Sequence, residues 1–299
     1  MRITTNLFQQ LGIKAVTEQQ GRLSKTQLQL GSGLKILAPS DNPVDSARVL
    51  DLNQSAASLV QFSSNIGVAQ SRLSLEEVTL ESATNGLQRL RQLAVQGAND
   101  TLNSSDRLSI EYEAREILDE LLGLSNTRNA NGEFLFSGFL SKTRSFTGTS
   151  ATPPGGFAYN GDSNQRLLQI GSTRHIADGD DGLSVFGDPS AGTSVFDVVA
   201  QFADNMGADT PDTLDIAAID VAMERIDSVR STIGARMNSL DQQNDLNEGL
   251  DLDIQETLSD VQDLDYTEAI SRLNLQSTAL QAAQQAYVRV QGLSLFNYL

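Results

Sequence analysis

The chain has 299 residues, of which 39% are hydrophobic, so it can bury a sizeable core. Its formal net charge is -17 and it lacks the basic face that nucleic-acid binding needs, so we expect no nucleic-acid partner. It contains no cysteine, which excludes disulfides, a thiol nucleophile and a thiolate metal site.

Residues 1–40 are predicted to be helical but weakly stabilised on their own. Apolar residues recur along this segment, mostly at four- and seven-residue steps, which indicates one helical face. They are Ile3, Leu7, Leu11, Leu23, Leu30, Leu34 and Leu37. Glycines interrupt this run, and each costs about 1 kcal/mol relative to alanine inside a helix. Prolines at 39 and 43 then break the helix, and Asp41 or Asn42 is placed to cap a second one that begins at Pro43.

Two apolar ladders of equal length predict two long helices that pack on each other. The first ladder is Leu52, Leu59, Ile66, Leu73, Leu80, Leu87 and Ala94. The second is Ile219, Ile226, Ile233, Leu240, Asn247, Ile254 and Val261. A strict seven-residue repeat keeps one seam of a helix facing a partner helix. We therefore predict a mainly α fold built on a long antiparallel, coiled-coil-like rod. Asn247 either fixes the register of that seam or turns outward, and both readings stay open.

Between the ladders, a third helix is predicted from residue 106 to about residue 128. The residues along one face of it are Leu108, Tyr112, Arg115, Leu118 and Leu122. The dipeptide Asn131-Gly132 is a strong hairpin-turn signal, and the sequence period changes there. Residues 133–192 contain short strand-like pieces at 157–159, 167–170 and 183–186. They predict a small β-rich insertion.

The insertion contains the candidate sites for chemistry, and none of them matches a known catalytic pattern. His175 is the only histidine, and without a second histidine or a cysteine we expect an ordinary surface residue. Asp178, Asp180 and Asp181 could bind calcium, but the downstream glutamate of a calcium-binding loop is missing. We favour a solvated turn. The sequence therefore predicts no catalytic residue, no metal site and no cofactor.

Helix is predicted to resume at Ser194, with a break and a new cap at residues 209–212. After the second ladder a new apolar series begins, consisting of Tyr266, Leu273, Leu280, Tyr287 and Val290. The last seven residues include Leu295 and Phe296, and we expect a partner to bury so apolar an end. An acidic run from residue 241 to residue 265 contains no lysine or arginine. This run is either a solvent-exposed face or a surface that binds a basic partner.

Targeting signals are missing at the N-terminus, where residues 1–6 lack the apolar core of a secretory signal peptide. No stretch of about 18 apolar residues predicts a membrane span. We therefore expect no membrane partner, and a protein that leaves the cell by a route without a cleaved signal.

Five segments resemble the family of bacterial flagellins and hook-associated proteins. They read RITTN at 2–6, LGSGLKI at 30–36, PSDNP at 39–43, NANGEFLFSG at 129–138 and LSLFNYL at 293–299. Filament flagellins carry two aspartates and alanines after the segment that corresponds to 30–36. The Asn42-Pro43 pair and the FLFSG segment are instead similar to the members found at the junction of hook and filament.

The resemblance implies a structural, non-enzymatic subunit that adapts the hook to the filament after type III export. It implies an extracellular location in the flagellum. The implied partners are neighbouring copies, the other hook-associated junction protein, flagellin and an export chaperone. Residues 1–42 and 264–299 would be terminal segments that stay disordered until assembly. Residues 43–132 and 193–263 would form the helical rod, and 133–192 the outer insertion.

Apolar residues of the terminal segments are the predicted contacts between subunits. They are Ile3, Leu7, Leu11, Leu23, Leu30, Leu34, Leu273, Leu280, Tyr287, Val290, Leu295 and Phe296. The rod core is predicted to consist of Leu52, Leu59, Ile66, Leu73, Leu80, Leu87, Ile219, Ile226, Ile233, Leu240, Ile254 and Val261. Two alternatives remain: a filament flagellin, and a secreted binding protein or enzyme whose site lies in the insertion.

Overall fold

The computed structural model describes residues 2–292, and the side chains of all of these except 2–6, 8, 9 and 290–292. It divides into a terminal unit, Met1–Ser58 with Gly249–Leu299, and a central unit, Leu59–Glu248. The helices are α1 (Arg2–Ser32), α2 (Pro43–Gly97), α3 (Ser104–Ser125), α4 (Gly182–Phe186), α5 (Val195–Gly207), α6 (Leu214–Gln262) and α7 (Tyr266–Gly292). The strands are β1 (Phe146–Thr147), β2 (Ala158–Tyr159), β3 (Leu167–Gln169) and β4 (His175–Ala177). The predicted fold class, mainly α with a small β insertion, is confirmed.

In the terminal unit, α1 and α7 pack along each other. The end of α1 is joined to the turn between α6 and α7 by two backbone hydrogen bonds, from Lys35 N to Gln262 O (2.8 Å) and from Leu264 N to Gly33 O (2.9 Å). Gly33 has a φ of 75°, which a side chain would strain, so glycine suits this helix end. The C-terminal end of α1 and the start of α7 are therefore held together in this unit.

The start of α2 has the predicted cap. The side-chain oxygen of Asn42 accepts a hydrogen bond from Asp45 N at 3.3 Å, and Pro43 occupies the first helical position. Asp41 instead accepts a hydrogen bond from the ammonium of Lys25 at 2.6 Å, a contact that lowers the pKa of its carboxyl group. Of the two candidate caps, Asn42 is the one that is used.

In the central unit, α2 and α6 run antiparallel. As residue numbers rise along α2, the residues bonded to it along α6 fall in number: Ser63 with Asn244, Gln70 with Asp241, Glu77 with Arg230 and Arg91 with Asp220. Eight of the twelve predicted core residues are buried in one core: Ile66, Leu73, Leu80, Leu87, Ile219, Ile226, Ile233 and Leu240. The other four predicted core residues, Leu52, Leu59, Ile254 and Val261, are half-buried.

Helix α3 packs against α5, but its buried face differs from the predicted one. Of the predicted face, Leu118 and Leu122 are buried, whereas Leu108 and Tyr112 are exposed. The buried stripe passes through Ile110, Ala114 and Ile117 at helical spacing and continues along the helix. Those residues face the core.

The β region consists of two separate two-stranded antiparallel sheets, β1 with β2 and β3 with β4. Residues 183–186, predicted as a strand, belong instead to the short helix α4. The carboxylate of Asp181 accepts a hydrogen bond from Ser184 N at 3.0 Å and so caps that helix. Phe186 of this helix meets Phe136 edge to face, with ring centroids 5.1 Å apart. His175 is exposed on β4.

Asn247 is buried in the central unit and holds the β region. Its amide nitrogen donates to the carbonyl of Ile170 at 3.0 Å, and its oxygen accepts from the Gln243 side chain at 2.9 Å. Of the two readings of Asn247, the outward one is therefore wrong. The residue faces inward and joins α6 to the end of β3.

We expect Asn247→Ala to lower the free energy of unfolding by about 1–3 kcal/mol, because the buried carbonyl of Ile170 loses its partner. Urea unfolding followed by circular dichroism measures this. Asn244→Ala, one turn away and bonded only to exposed side chains, is the control and should change little. Faster amide exchange confined to residues 167–177 in the first variant would support the cause. Equal effects of the two substitutions would contradict it.

Among residues 2–292, every helix is too short or too polar to span a lipid bilayer.

Candidate assembly surface and a buried charge network

The terminal unit has almost no hydrophobic core of its own. Among its described residues, only Leu264 and Ala269 are buried apolar residues, whereas the central unit contains all the others. Its paired helices α1 and α7 expose large apolar side chains, namely Leu7, Leu11, Ile13, Leu28, Ile270, Leu275 and Val288. Helices with so little burial gain most of their stability from packing against other surfaces. This apolar surface of α1 and α7 is the candidate assembly surface.

The residues predicted for this surface fall into three groups. Leu7 and Leu11 are exposed and lie on it. The half-buried group consists of Leu23, Leu30, Leu34, Leu273, Leu280 and Tyr287. The side chains of Ile3 and Val290 are not described, and Leu295 and Phe296 lie outside the described residues. Contact of any of these residues with another subunit stays a prediction.

Tyr287 shows where one of the half-buried side chains goes. A Cβ atom added at Gly12 of α1 would lie 2.9 Å from the Tyr287 ring, so this ring lies against α1 of the same chain. The exposed residues Ile270, Leu275 and Val288 were missed by the sequence analysis. The signal for them was present, since α7 has large apolar residues on more than one side.

The central unit contains a network of buried charges around the aspartates of residues 178–181. The expectation of a solvated turn was wrong, because Asp178 and Asp180 are buried and bonded to arginines. Asp180 accepts two hydrogen bonds from the guanidinium of Arg236, at 2.8 and 2.9 Å. Asp178 forms an ion pair with Arg166. These carboxylates are therefore neutralised by side chains of the chain itself.

Calcium was the alternative reading for the same aspartates. Within the described residues, no set of three histidine, cysteine, aspartate or glutamate side chains is arranged to hold a metal ion. Of the three aspartates, Asp178 and Asp180 are paired with arginines, and Asp181 caps α4. The structure therefore gives this cluster a role in packing.

Glu76 of α2 lies beside this network and is 1% exposed. Burial raises the pKa of its carboxyl group well above the ordinary value of 4.5, and the nearby charge of Asp180 raises it further. One of its oxygens accepts a weak hydrogen bond from the backbone N–H of Asp180 at 3.3 Å. Glu76 therefore keeps its proton to a higher pH than an exposed glutamate does.

Replacing Glu76 with glutamine is expected to change how stability depends on pH. In the native chain the folded state holds a proton that the unfolded state has already lost above pH 4.5. Unfolding then releases a proton, so the free energy of unfolding falls as pH rises from there towards the raised pKa. Glu76→Gln removes that fall. The free energy of unfolding of the variant, relative to that of the native chain, therefore increases by up to about 1.4 kcal/mol for each unit by which the pH rises.

Urea unfolding at a series of pH values above 4.5 measures the pH effect of Glu76→Gln. Glu120→Gln, at an exposed position of α3, is the control. Parallel pH profiles for the native chain and Glu76→Gln would contradict the prediction.

Two family models match the chain. The model of the bacterial flagellin N-terminal helical region matches residues 3–141, and the model of the C-terminal helical region matches residues 216–299. Together they include α1 to α3 and nearly all of α6 and α7. Residues 142–215 lie outside both models, and they contain all four strands.

Two relatives match along their whole length. The chain is 27% identical to flagellar hook-associated protein 3 of Escherichia coli strain K12, over 99% of both chains. It is also 27% identical to the protein of the same name from Salmonella typhimurium strain LT2, over 99% of both. Flagellin 1 of Proteus mirabilis is 31% identical, over 50% of this chain and 40% of that protein. The likeness to flagellin is therefore partial.

Solved structures share the fold. A putative flagellar hook-associated protein from Vibrio parahaemolyticus superimposes with a TM-score of 0.65 at 23% identity, over 75% of this chain and all of that one. Flagellar hook-associated protein 3 from Legionella pneumophila gives 0.64 at 23% identity, over 70% of this chain and 98% of that one. At these identities the likeness supports the fold alone.

Proposed function

Since this chain belongs to the family of bacterial flagellins and hook-associated proteins, we propose that it is a structural subunit joining the flagellar hook to the filament. Two observations support the junction over the filament. The relatives that match along their whole length are named flagellar hook-associated protein 3, whereas the flagellin match extends over half of this chain. The Asn42-Pro43 cap, which the sequence associates with junction members, is used in the structure.

The apolar surface of α1 and α7 carries the proposal. A terminal unit with two buried apolar residues in its described part has little to hold it together in water. Packing beside other copies, the second junction protein and flagellin would bury that surface. Residues 1–42 and 264–299 are proposed to complete their ordering at that step, after type III export with a chaperone to the outside of the cell.

Co-sedimentation with isolated hooks and, separately, with short filament seeds tests this function, in the presence of the second junction protein. We expect the chain to pellet with hooks and to form a limited layer at their ends in electron micrographs. Long fibres growing from filament seeds would instead identify a flagellin. A chain that pellets with neither would contradict both assignments.

We further propose that the chain is not an enzyme. Asp178 and Asp180, which are buried in the insertion, each form an ion pair with an arginine. These carboxylates are therefore poorly placed to act on a substrate. A thermal-shift screen with a library of small molecules tests this point, because a ligand that binds only the folded state raises the melting temperature. A reproducible rise that depends on residues 133–192 would contradict the proposal.

A further inference from the structure

One loop of the central unit concentrates its unbonded positive charge. Of the thirteen lysines and arginines between residues 59 and 248, ten form an ion pair or a hydrogen bond with the protein. The other three are Arg128, Lys142 and Arg144. All three are exposed, and the guanidinium of Arg128 lies over the ring of Phe134 at 4.2 Å. Two of the three, Lys142 and Arg144, lie two residues apart in one loop, which is therefore a distinct surface in a chain of net charge -17.

The same loop also exposes two large apolar side chains. We call residues 138–144 the basic loop. Phe139 is 61% exposed and Leu140 is 48% exposed, and they lie next to Lys142 and Arg144 in sequence. Exposed apolar side chains rimmed by one sign of charge are typical of protein interaction sites. The chemistry of the basic loop fits a partner that is both apolar and acidic.

The basic loop is held in one conformation before any partner binds. Gly138 has a φ of 62°, and a side chain there would collide with Asp162. The carboxylate of Asp162 accepts a hydrogen bond from Phe139 N at 2.9 Å. The hydroxyl of Ser137 donates to the carbonyl of Thr143 at 2.7 Å. Little conformational entropy would therefore be lost when the loop binds.

A complementary surface is present on α6 of the same unit. Asp241, Asp245 and Glu248 are exposed at spacings of four and three residues, so they share one face, which we call the acidic face. None of the three forms an ion pair within the described residues. The acidic face thus offers the negative charge that the basic loop lacks.

We propose that the basic loop of one copy docks on the acidic face of α6 of a second copy. The two surfaces differ, so the contact is head to tail, and such contacts close into a ring when the rotation between copies allows it. Lys142 and Arg144 would pair with the carboxylates, and Phe139 and Leu140 would pack against the helix beside them. The inference rests on the proposed function, because it requires copies of this chain to lie side by side.

Disulfide trapping tests the contact directly, because the native chain contains no cysteine. Thr143→Cys is made in one preparation and Asp241→Cys in another, because Thr143 and Asp241 are exposed positions of the basic loop and of the acidic face. The two preparations are mixed and oxidised, both free in solution and on pelleted hooks. The yield of disulfide-linked dimer from the mixture should exceed the yield from either variant alone. Glu120→Cys, exposed on α3, replaces Asp241→Cys in the control and should not link. No excess over this control in the pelleted material would overturn the proposal.

Charge reversal adds a second readout. Arg144→Glu and Asp245→Arg should each lower the yield of linked product about fivefold, the effect of an exposed ion pair near the top of its range. Combining them, one on each mixed preparation, should restore the yield. Failure of this rescue would overturn the proposal. Hook pelleting that persists without linkage would contradict this contact while leaving the proposed function intact.

A membrane is the competing partner for a basic, apolar loop. Flotation with vesicles of phosphatidylcholine and phosphatidylserine distinguishes the two. Binding to these vesicles that is lost in Lys142→Glu, together with no linkage between copies, would show that the loop meets lipid and would overturn the proposal. We expect no flotation of the native chain.

Discussion

Replacing Leu275 with aspartate is expected to abolish co-sedimentation with hooks while leaving the free chain folded. Leu275 is 71% exposed on α7, so the isolated chain gains little from it. Burial of a leucine side chain between subunits stabilises a contact by about 1.5–3 kcal/mol. An aspartate there would also have to lose its water, which adds a further cost. We expect the affinity for the hook end to fall at least about a hundredfold.

The control for Leu275→Asp is Asn274→Asp, which adds the same charge at the neighbouring exposed position. Both variants should have the circular dichroism spectrum and melting temperature of the native chain, and only the first should stay in the supernatant. Leu280 is less suitable, because it is half-buried and its replacement would disturb α7 as well. Normal pelleting of Leu275→Asp, or equal loss in both variants, would contradict the assignment of the assembly surface.

Replacing Arg236 with methionine is expected to lower the free energy of unfolding of the central unit by about 3–5 kcal/mol. The guanidinium of Arg236 donates both of its hydrogen bonds to Asp180, which is only 7% exposed. Without it, a buried carboxylate is left beside Glu76 with no arginine bonded to it. Urea unfolding followed by circular dichroism measures the loss.

Arg91→Met is the matched control for Arg236→Met, because it also removes an arginine–aspartate pair of the central unit. Arg91 and Asp220 are each 48% exposed, and pairs of this kind contribute about 0–1 kcal/mol. Adding Asp180→Asn to Arg236→Met removes the buried charge and should recover part of the lost stability. Similar losses in the two single variants would show that burial does not set the strength of these pairs.

Helices, caps and the resemblance to the family followed from the sequence because each depends on residues that are close together in it. A seven-residue ladder requires only the spacing of apolar residues along one helix, and the cap at Asn42 requires only the residues up to Asp45. The candidate assembly surface was foreseen in part for the same reason. What periodicity could not supply was which side of α7 faces α1 and which side faces outward.

The buried charges escaped prediction because their partners are distant in sequence. Asp180 meets Arg236, 56 residues later, and Glu76, 104 residues earlier. Read alone, a run of three aspartates and two glycines has the composition of a solvated turn. The short helix α4 was missed for a different reason: a run of four residues that contains three apolar ones fits a strand as well as a helix. Only the cap from Asp181 distinguishes them.

The small core of the terminal unit has a consequence for the kinetics of growth. A segment whose stability depends on neighbouring subunits has a folded population that varies with the concentration of those subunits. The central unit has its core within one chain, so its folded population does not depend on that concentration. The first pair of copies to meet in solution would bear the entropy of ordering both terminal units and bury only one contact. A copy that reaches an existing end buries several contacts at once. On the proposed function, nucleation in solution would be slow, and subunits would remain supersaturated until a preformed end acts as the template.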